Sequence, residues 1–258
     1  FINQEKISTI PKSDRGTIII SVENLEEGSK EIELISYVNS NTYPSEREYV
    51  YSFTPFAPVK YYQSNFDDQL DDFAGLGYTI EQPNGFSNSA IHSSRPYATL
   101  SQLIYTLRYP VIVDGIKNQV TFNEIVLVEP GDQDALFGTD QFKDYVVVEG
   151  SDNGYEWQQL GEGYDANQFN EWKLAFSDEN LISENLFKKR DYTLENLFDP
   201  GDTIFVRFRL SSNETLSGWG WAIDDLLIQD PVLGLAASKK LKDLQLMVYP
   251  NPVSFSAK

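Results

Sequence analysis

Cysteine is absent from the 258 residues, and histidine and methionine occur once each. Without cysteine there is no disulfide framework, no thiol nucleophile and no thiolate-ligated zinc. The single histidine, His92, stands in Ser89-Ala90-Ile91-His92-Ser93-Ser94. No Gly-x-Ser-x-Gly elbow surrounds it, so it reads as a structural histidine rather than the base of a nucleophilic pair. Catalytic zinc, which calls for several histidine ligands, fails on the same count. Basic residues are scarce, 20 against 39 acidic, for a net charge of −19. Phosphate backbones and anionic membrane surfaces need clustered Lys and Arg, so no nucleic-acid partner is expected. No apolar run approaches the ~20 residues that span a bilayer, so no membrane insertion is expected either. A phosphate-cradling loop, a dinucleotide fingerprint and an internal repeat are also missing. The chain begins at Phe1 with neither a basic nor an apolar leader region, so a signal peptide is expected to be removed or upstream.

Aromatic residues are abundant, with 16 Phe and 15 Tyr in a total of 14%. They suit pleated, half-buried surfaces and move the expectation to all-β structure. Residues 1–53 read as a partial Ig-like β unit or a flap, with β-rich runs at 17–22 and 32–38 around a polar turn. Thr54-Pro55-Phe56-Ala57-Pro58 breaks the pattern and marks a boundary. From there to residue 231, short β runs alternate with Gly, Asp and Asn clusters, most clearly at 103–109, 119–128, 145–150, 203–210 and 221–229. That spacing predicts an antiparallel sandwich. Asp178–Lys189 is the one stretch with a weak helical tendency. Residues 232–245 read as a linker.

Three local patterns stand out in the middle domain. Residues 144–157 read as a strand, an Asp-Asn-Gly turn and a return strand opening at Trp157. Phe205–Leu210 alternates strictly between apolar and polar. Gly218-Trp219-Gly220-Trp221-Ala222-Ile223-Asp224-Asp225 forms a last strand with paired carboxylates. Together with Asn65-Phe66-Asp67-Asp68, these resemble the jelly-roll modules of Bacteroidota surface proteins, similar to MAM-like and gingipain "cleaved adhesin" domains, over about residues 60–230. The resemblance implies a jelly-roll β-sandwich for residues 54–231, with its first and last strands as neighbours. Asp67, Asp68, Asp224 and Asp225 could then converge on a structural calcium ion, with Asp71 and Asp72 as a reserve pair. The competing reading is a solvated acidic edge that discourages strand addition.

A second resemblance lies at the C-terminus. Lys239, Lys240 and Lys242 lead through Leu241, Leu244 and Leu246 into Val248-Tyr249-Pro250-Asn251-Pro252-Val253. This looks like the entry to the type A C-terminal sorting domain of type IX secretion cargo, so residues 246–258 are expected to begin a truncated sorting domain. The resemblance implies the type IX secretion machinery as partner and a secreted or outer-membrane cell-surface location. An ordinary Pro-Asn-Pro turn is the plainer reading.

For function, these features predict a non-catalytic module serving adhesion, glycan binding or spacing, with a glycan or a host or cell-surface protein as ligand. Tyr155, Trp157, Tyr164 and Trp172 are the candidate binding aromatics. Trp219 and Trp221 are expected on one face of their strand and mainly in the core, and Arg207 and Arg209 are expected to pair with carboxylates. The rival is a carbohydrate-active enzyme, a glycosidase or lyase, using Glu124, Glu129 or Glu149.

Overall fold

The computed structural model describes residues 26–38, 41–68 and 71–230, and for residues 31–50 it describes the backbone. The expected strand at 17–22, the linker and the sorting signal Val248, Tyr249, Pro250, Asn251 and Pro252 therefore lie outside the described residues. Among the described residues the strands are β1 Gly28–Val38, β2 Asn41–Ser52, β3 Tyr62–Ser64, β4 Phe73–Leu76, β5 Tyr78–Glu81, β6 Ala90–Ser93 and β7 Gln102–Leu107. They continue with β8 Val111–Ile112, β9 Gln119–Leu127, β10 Tyr145–Ser151, β11 Gln158–Gln159, β12 Lys188–Thr193, β13 Thr203–Ser211 and β14 Gly220–Ile228. The described residues also hold one α-helix, α1, at Asn170–Ser177.

The fold is all-β. Two six-stranded antiparallel sheets form a sandwich. The first sheet runs β11-β10-β13-β7-β4, with β8 on β13; the second runs β12-β9-β14-β6-β5, with β3 on β14. The chain crosses repeatedly between them, as in a jelly roll. β3 pairs with β14, Leu226 opposite Ser64, so the two ends of the sandwich are neighbours. Gln229 reinforces that closure: its amide donates to the carbonyls of Lys60 (2.7 Å) and Ile112 (2.8 Å) and accepts from the Asp114 amide (2.7 Å).

Alternation explains the best-formed strands. On β13, Ile204, Val206, Phe208 and Leu210 are buried and face the core, while Phe205 and Arg207 on the other face are less covered. β9 departs from alternation because Glu124 to Leu127 are all buried. α1 covers the outer face there, burying Trp172 and Ala175, and the Trp172 indole donates to the Leu186 carbonyl at 2.8 Å. Across the core, Phe208 of the first sheet meets Trp221 and Phe122 of the second edge to face, with centroids 5.4 and 5.5 Å apart.

Two expectations need correcting. Residues 28–38 pair with 41–52, so β1 takes in part of the stretch assigned to a turn. The helix lies at 170–177, before the stretch expected to hold it; residues 178–189 contain two short 3₁₀ turns and the start of β12. Asp178 is an N-cap whose carboxylate accepts from the Asn180 amide, and that local bond favours a tight turn over a continuing helix.

Glu124 is wholly buried between the sheets. It accepts from the Tyr164 hydroxyl (2.6 Å), the Arg190 Nε (2.7 Å) and the Trp221 indole (2.9 Å). Desolvation pushes its pKa upward, while Arg190, Tyr164 and Trp221 pull it back. Three convergent donors suit a carboxylate, and the Arg190 guanidinium also lies 4.0 Å over the Tyr164 ring. Breaking such a pair leaves its partner stranded, at about 3–5 kcal/mol. Glu124→Gln should lower unfolding stability by about that amount in urea denaturation. Combined with Arg190→Met it should cost less than the two single losses added together; strict additivity would mean that the pair is not coupled.

Candidate functional site

The site begins with a backbone kink. Gly220 opens β14 at φ +102°, and a Cβ there would lie 2.0 Å from the Ser93 Oγ. Gly218 is equally constrained, because a Cβ would meet the Leu127 carbonyl and the Phe176 ring at 2.6 Å. Only glycine fits a left-handed kink pressed this closely against β6. The kink breaks the alternation expected of Trp219 and Trp221. Trp221 points into the core and is wholly buried, whereas Trp219 is half-buried and packs against His92 of β6.

Trp219 is held on two sides. Its ring is perpendicular to the His92 imidazole, centroids 4.1 Å apart, and stacks on Phe86 at 6.1 Å. Phe86 is in turn braced edge-on by Phe187. Burial drives the His92 pKa down to about 4, with nearby Arg95 adding to the effect, so the ring is neutral at pH 7. Its Nδ1 lies 2.5 Å from the Ser93 carbonyl, and its Nε2 is buried without a partner among the described residues. His92 is therefore a packing residue that buttresses Trp219. A cavity of about 470 Å³ opens beside that indole, lined by Arg95, Pro96, Glu179, Gly218 and Trp219. The site thus combines a fixed aromatic ring, a guanidinium and a carboxylate.

The expected binding aromatics are dispersed. Tyr164 is buried against Glu124 and Arg190, and Trp172 is buried beneath α1. Neither can present a face to a ligand, so both leave the candidate set. Their apolar bulk is needed to fill the interior and to seal the outer face of β9. Trp157 is half-buried with the Arg207 guanidinium 3.9 Å from its ring, and Tyr155 is 56% exposed on the turn before β11. Arg207 and Arg209 both bind Glu149, each at 2.7 Å. Arg95 and Glu179 were missed because they lie some 120 and 40 residues from Trp219 in the chain, with no local motif to join them. The Gly-Trp-Gly run was the one available signal.

The strand glutamates are committed internally. Glu124 holds the core network of Tyr164, Arg190 and Trp221. Glu149 binds its two arginines, and Glu129 accepts from Lys143 at 3.0 Å and from the Leu216 amide at 2.9 Å. None of the three lines the Trp219 cavity. A second, smaller cavity of about 300 Å³ on the outer face of the second sheet is lined by Asn65, Asn123, Lys189, Asp225 and Leu227 among others.

The aspartates do not assemble as expected. Among the described residues, no three carboxylate or imidazole groups gather where one metal ion could be held. Asp67, Asp68, Asp224 and Asp225 are not part of any such group. Asp71 lies 3.6 Å from Arg108, and Asp72 accepts from the Tyr62 hydroxyl at 2.8 Å. A β-bulge between Asp224 and Leu227, with Asp225 at φ +51°, re-aims the pair. Asp225 accepts from the Asn123 amide at 2.8 Å, and Asp224 accepts from the Asp225 backbone N–H at 2.7 Å. Burial pushes the Asp224 pKa up to about 6, and the charges of Asp225, Asp67 and Glu184 push the same way.

No protein-family model and no curated protein matches this sequence. Among solved structures, the chain is similar to a carbohydrate-binding module specific for non-crystalline cellulose, CBM28, at 14% identity over 69% of this chain and 96% of that one, TM-score 0.43. It is similar to the K3 cleaved adhesin domain of Lys-gingipain from Porphyromonas gingivalis W83, at 12% identity over 66% and 97%, TM-score 0.38. A third likeness is to TmCBM61, solved with β-1,4-galactotriose, at 12% identity over 61% and 87%, TM-score 0.32.

The Asp224 environment generates a pH test. Its folded pKa lies above its ordinary value, so ionisation works against the fold. That penalty is fully present above about pH 6 and disappears as pH falls through 6 toward 4. Asparagine keeps the acceptor for the Asp225 amide and removes the charge. Asp224→Asn should therefore raise unfolding stability by about 1 kcal/mol at pH 7.5, once solvent screening is allowed for, with no gain near pH 4. Chemical denaturation at both pH values measures this. A loss at pH 7.5 that appears only with calcium present would instead restore the aspartate clip.

Proposed function

We propose that this chain carries a non-catalytic carbohydrate-binding module, with the Trp219 cavity as its ligand site. The supporting observation is the fixed indole, clamped by His92 and Phe86, beside a cavity that also offers Arg95 and Glu179. A pyranose presents an apolar C–H face ringed by hydroxyls. The indole matches that face, while the guanidinium and the carboxylate can donate to and accept from the hydroxyls. A volume of about 470 Å³ falls in the range of small-ligand sites. Because the ring is already immobilised, little side-chain entropy is lost on binding.

The setting of the module belongs to the same reading. The Val248-Tyr249-Pro250-Asn251-Pro252 motif and its lysine-rich approach support export by the type IX secretion machinery to the cell surface or beyond. A cysteine-free chain with a net charge of −19 suits a soluble exported protein.

A glycan array followed by calorimetric titration tests the site. The protein should bind at least one hexose-containing glycan with a Kd of roughly micromolar to millimolar order. Trp219→Ala should weaken that binding at least about tenfold, with the folded state verified by its melting curve. Trp157→Ala, which disturbs the Arg207 stack, should leave it within about twofold. The reverse pattern would move the site to the first sheet, and binding to no glycan by the intact protein would end the proposal.

A further inference from the structure

The Trp219 cavity carries a charge bias, which governs ligand choice on the premise that this cavity is the glycan site. Arg95 is already paired with Glu81, so its charge is largely answered within the protein. The Glu179 carboxylate has neither an ion pair nor a hydrogen bond among the described residues. The segment that supplies it, residues 178–187, holds Asp178, Glu179 and Glu184 and has no Lys or Arg before Lys188. Asp178 is occupied in capping the turn, and Glu184 accepts from both the amide and the hydroxyl of Ser87. Glu179 is thus the one carboxylate lining the cavity that is left to meet a ligand, next to an indole face that attracts cations. The surrounding protein, at −19 overall, reinforces the preference.

We propose that this site selects an amino sugar with a free amine, taken up in its ammonium form. The ammonium would lie near the Trp219 ring with Glu179 as its counter-ion, and the sugar hydroxyls would meet Arg95. A uronic or sialic acid would place like charge against Glu179. An N-acetylated sugar would keep the ring contact and lose the ion pair.

The test is titration of the full chain with a glucosamine oligosaccharide, its N-acetylated counterpart, an oligogalacturonate and a lysine-bearing peptide, at about pH 6, where the amine is charged. The free-amine sugar should bind about tenfold or more tighter than the N-acetylated one, and the oligogalacturonate weakest. In Glu179→Gln the ratio between the first two should fall to near one. Glu179 is exposed, and the melting temperature reports whether the variant folds as the parent does. Equal affinities in the parent protein, or a preference that survives Glu179→Gln, would overturn the charge selection while leaving the glycan site standing. Capture of the lysine peptide without any sugar would overturn it in favour of a protein partner. Failure of all four ligands, together with an empty glycan array, would remove the site itself.

Discussion

The sandwich depends on a carboxylate that has no contact with water. Glu124 sits on β9 among apolar neighbours and draws together three groups from different parts of the chain. Arg190 comes from the edge strand β12 and Trp221 from the neighbouring strand β14. Tyr164 comes from the loop after β11, and its backbone exchanges two hydrogen bonds with Val146 on the first sheet. One side chain therefore links three strands of the second sheet to a strand of the first. A buried ion pair is poor evidence of net stabilisation, because desolvation offsets most of the attraction. What this geometry supplies is register. A shift of one residue in β9 would turn Glu124 to the outer face and leave Arg190, Tyr164 and Trp221 without an acceptor.

The same logic recurs on the outer face of the first sheet, where Glu149 binds Arg207 and Arg209 across the β10–β13 ladder. Trp157 and Tyr145 cover those two guanidiniums. Near the chain crossings, Asp144 takes the Tyr97 hydroxyl and the Asn213 amide, while Glu129 takes Lys143. With no cysteine in the chain, such polar networks rather than disulfides tie the strands together. The consequence for function is direct. Carboxylates that looked available for acid–base chemistry in the sequence are consumed as structural acceptors, and the one that lines the Trp219 cavity without a partner among the described residues, Glu179, opens a short 3₁₀ turn.

How much of this was legible in the sequence depended on whether a feature was local. The long strands β9, β10, β13 and β14 were readable, because each carries a run of β-branched and aromatic residues bounded by turn chemistry. Strands β3 to β5 and β8 were not, since two to four residues leave no period to read, whereas the equally short β11 was signalled by the Asp-Asn-Gly turn before it. The pairing of β1 with β2 was hidden because Asn41–Ser52 holds Pro44 and the charged run Glu46-Arg47-Glu48, a poor strand by composition. Tyr164 and Trp172 were misplaced for a related reason. Aromatic residues in polar loops read as surface platforms until the core that they fill is known. Alternation also failed at two points on one strand: at Gly220, through a left-handed φ, and at Asp224, through a bulge. Both faults are backbone events that residue type signals only weakly.

Those two faults are where this strand acquires its chemistry. A regular β14 would place Trp219 and Trp221 on the same face, so both would enter the core or both would leave it. The Gly220 kink sends Trp221 inward to Glu124 and Trp219 outward onto His92. Core and cavity therefore share one hinge, and the two tryptophans cannot be repositioned independently. His92 follows from the same arrangement. Its neighbour Ser93 accepts the Trp221 amide on its hydroxyl, while its own ring supports Trp219. A lone histidine beside serines resembles catalytic machinery in the sequence, but here it is a neutral wedge that holds the Trp219 ring at a fixed angle. The rigidity of the cavity is therefore inherited from the core, because the strand that buries Trp221 is the strand that presents Trp219.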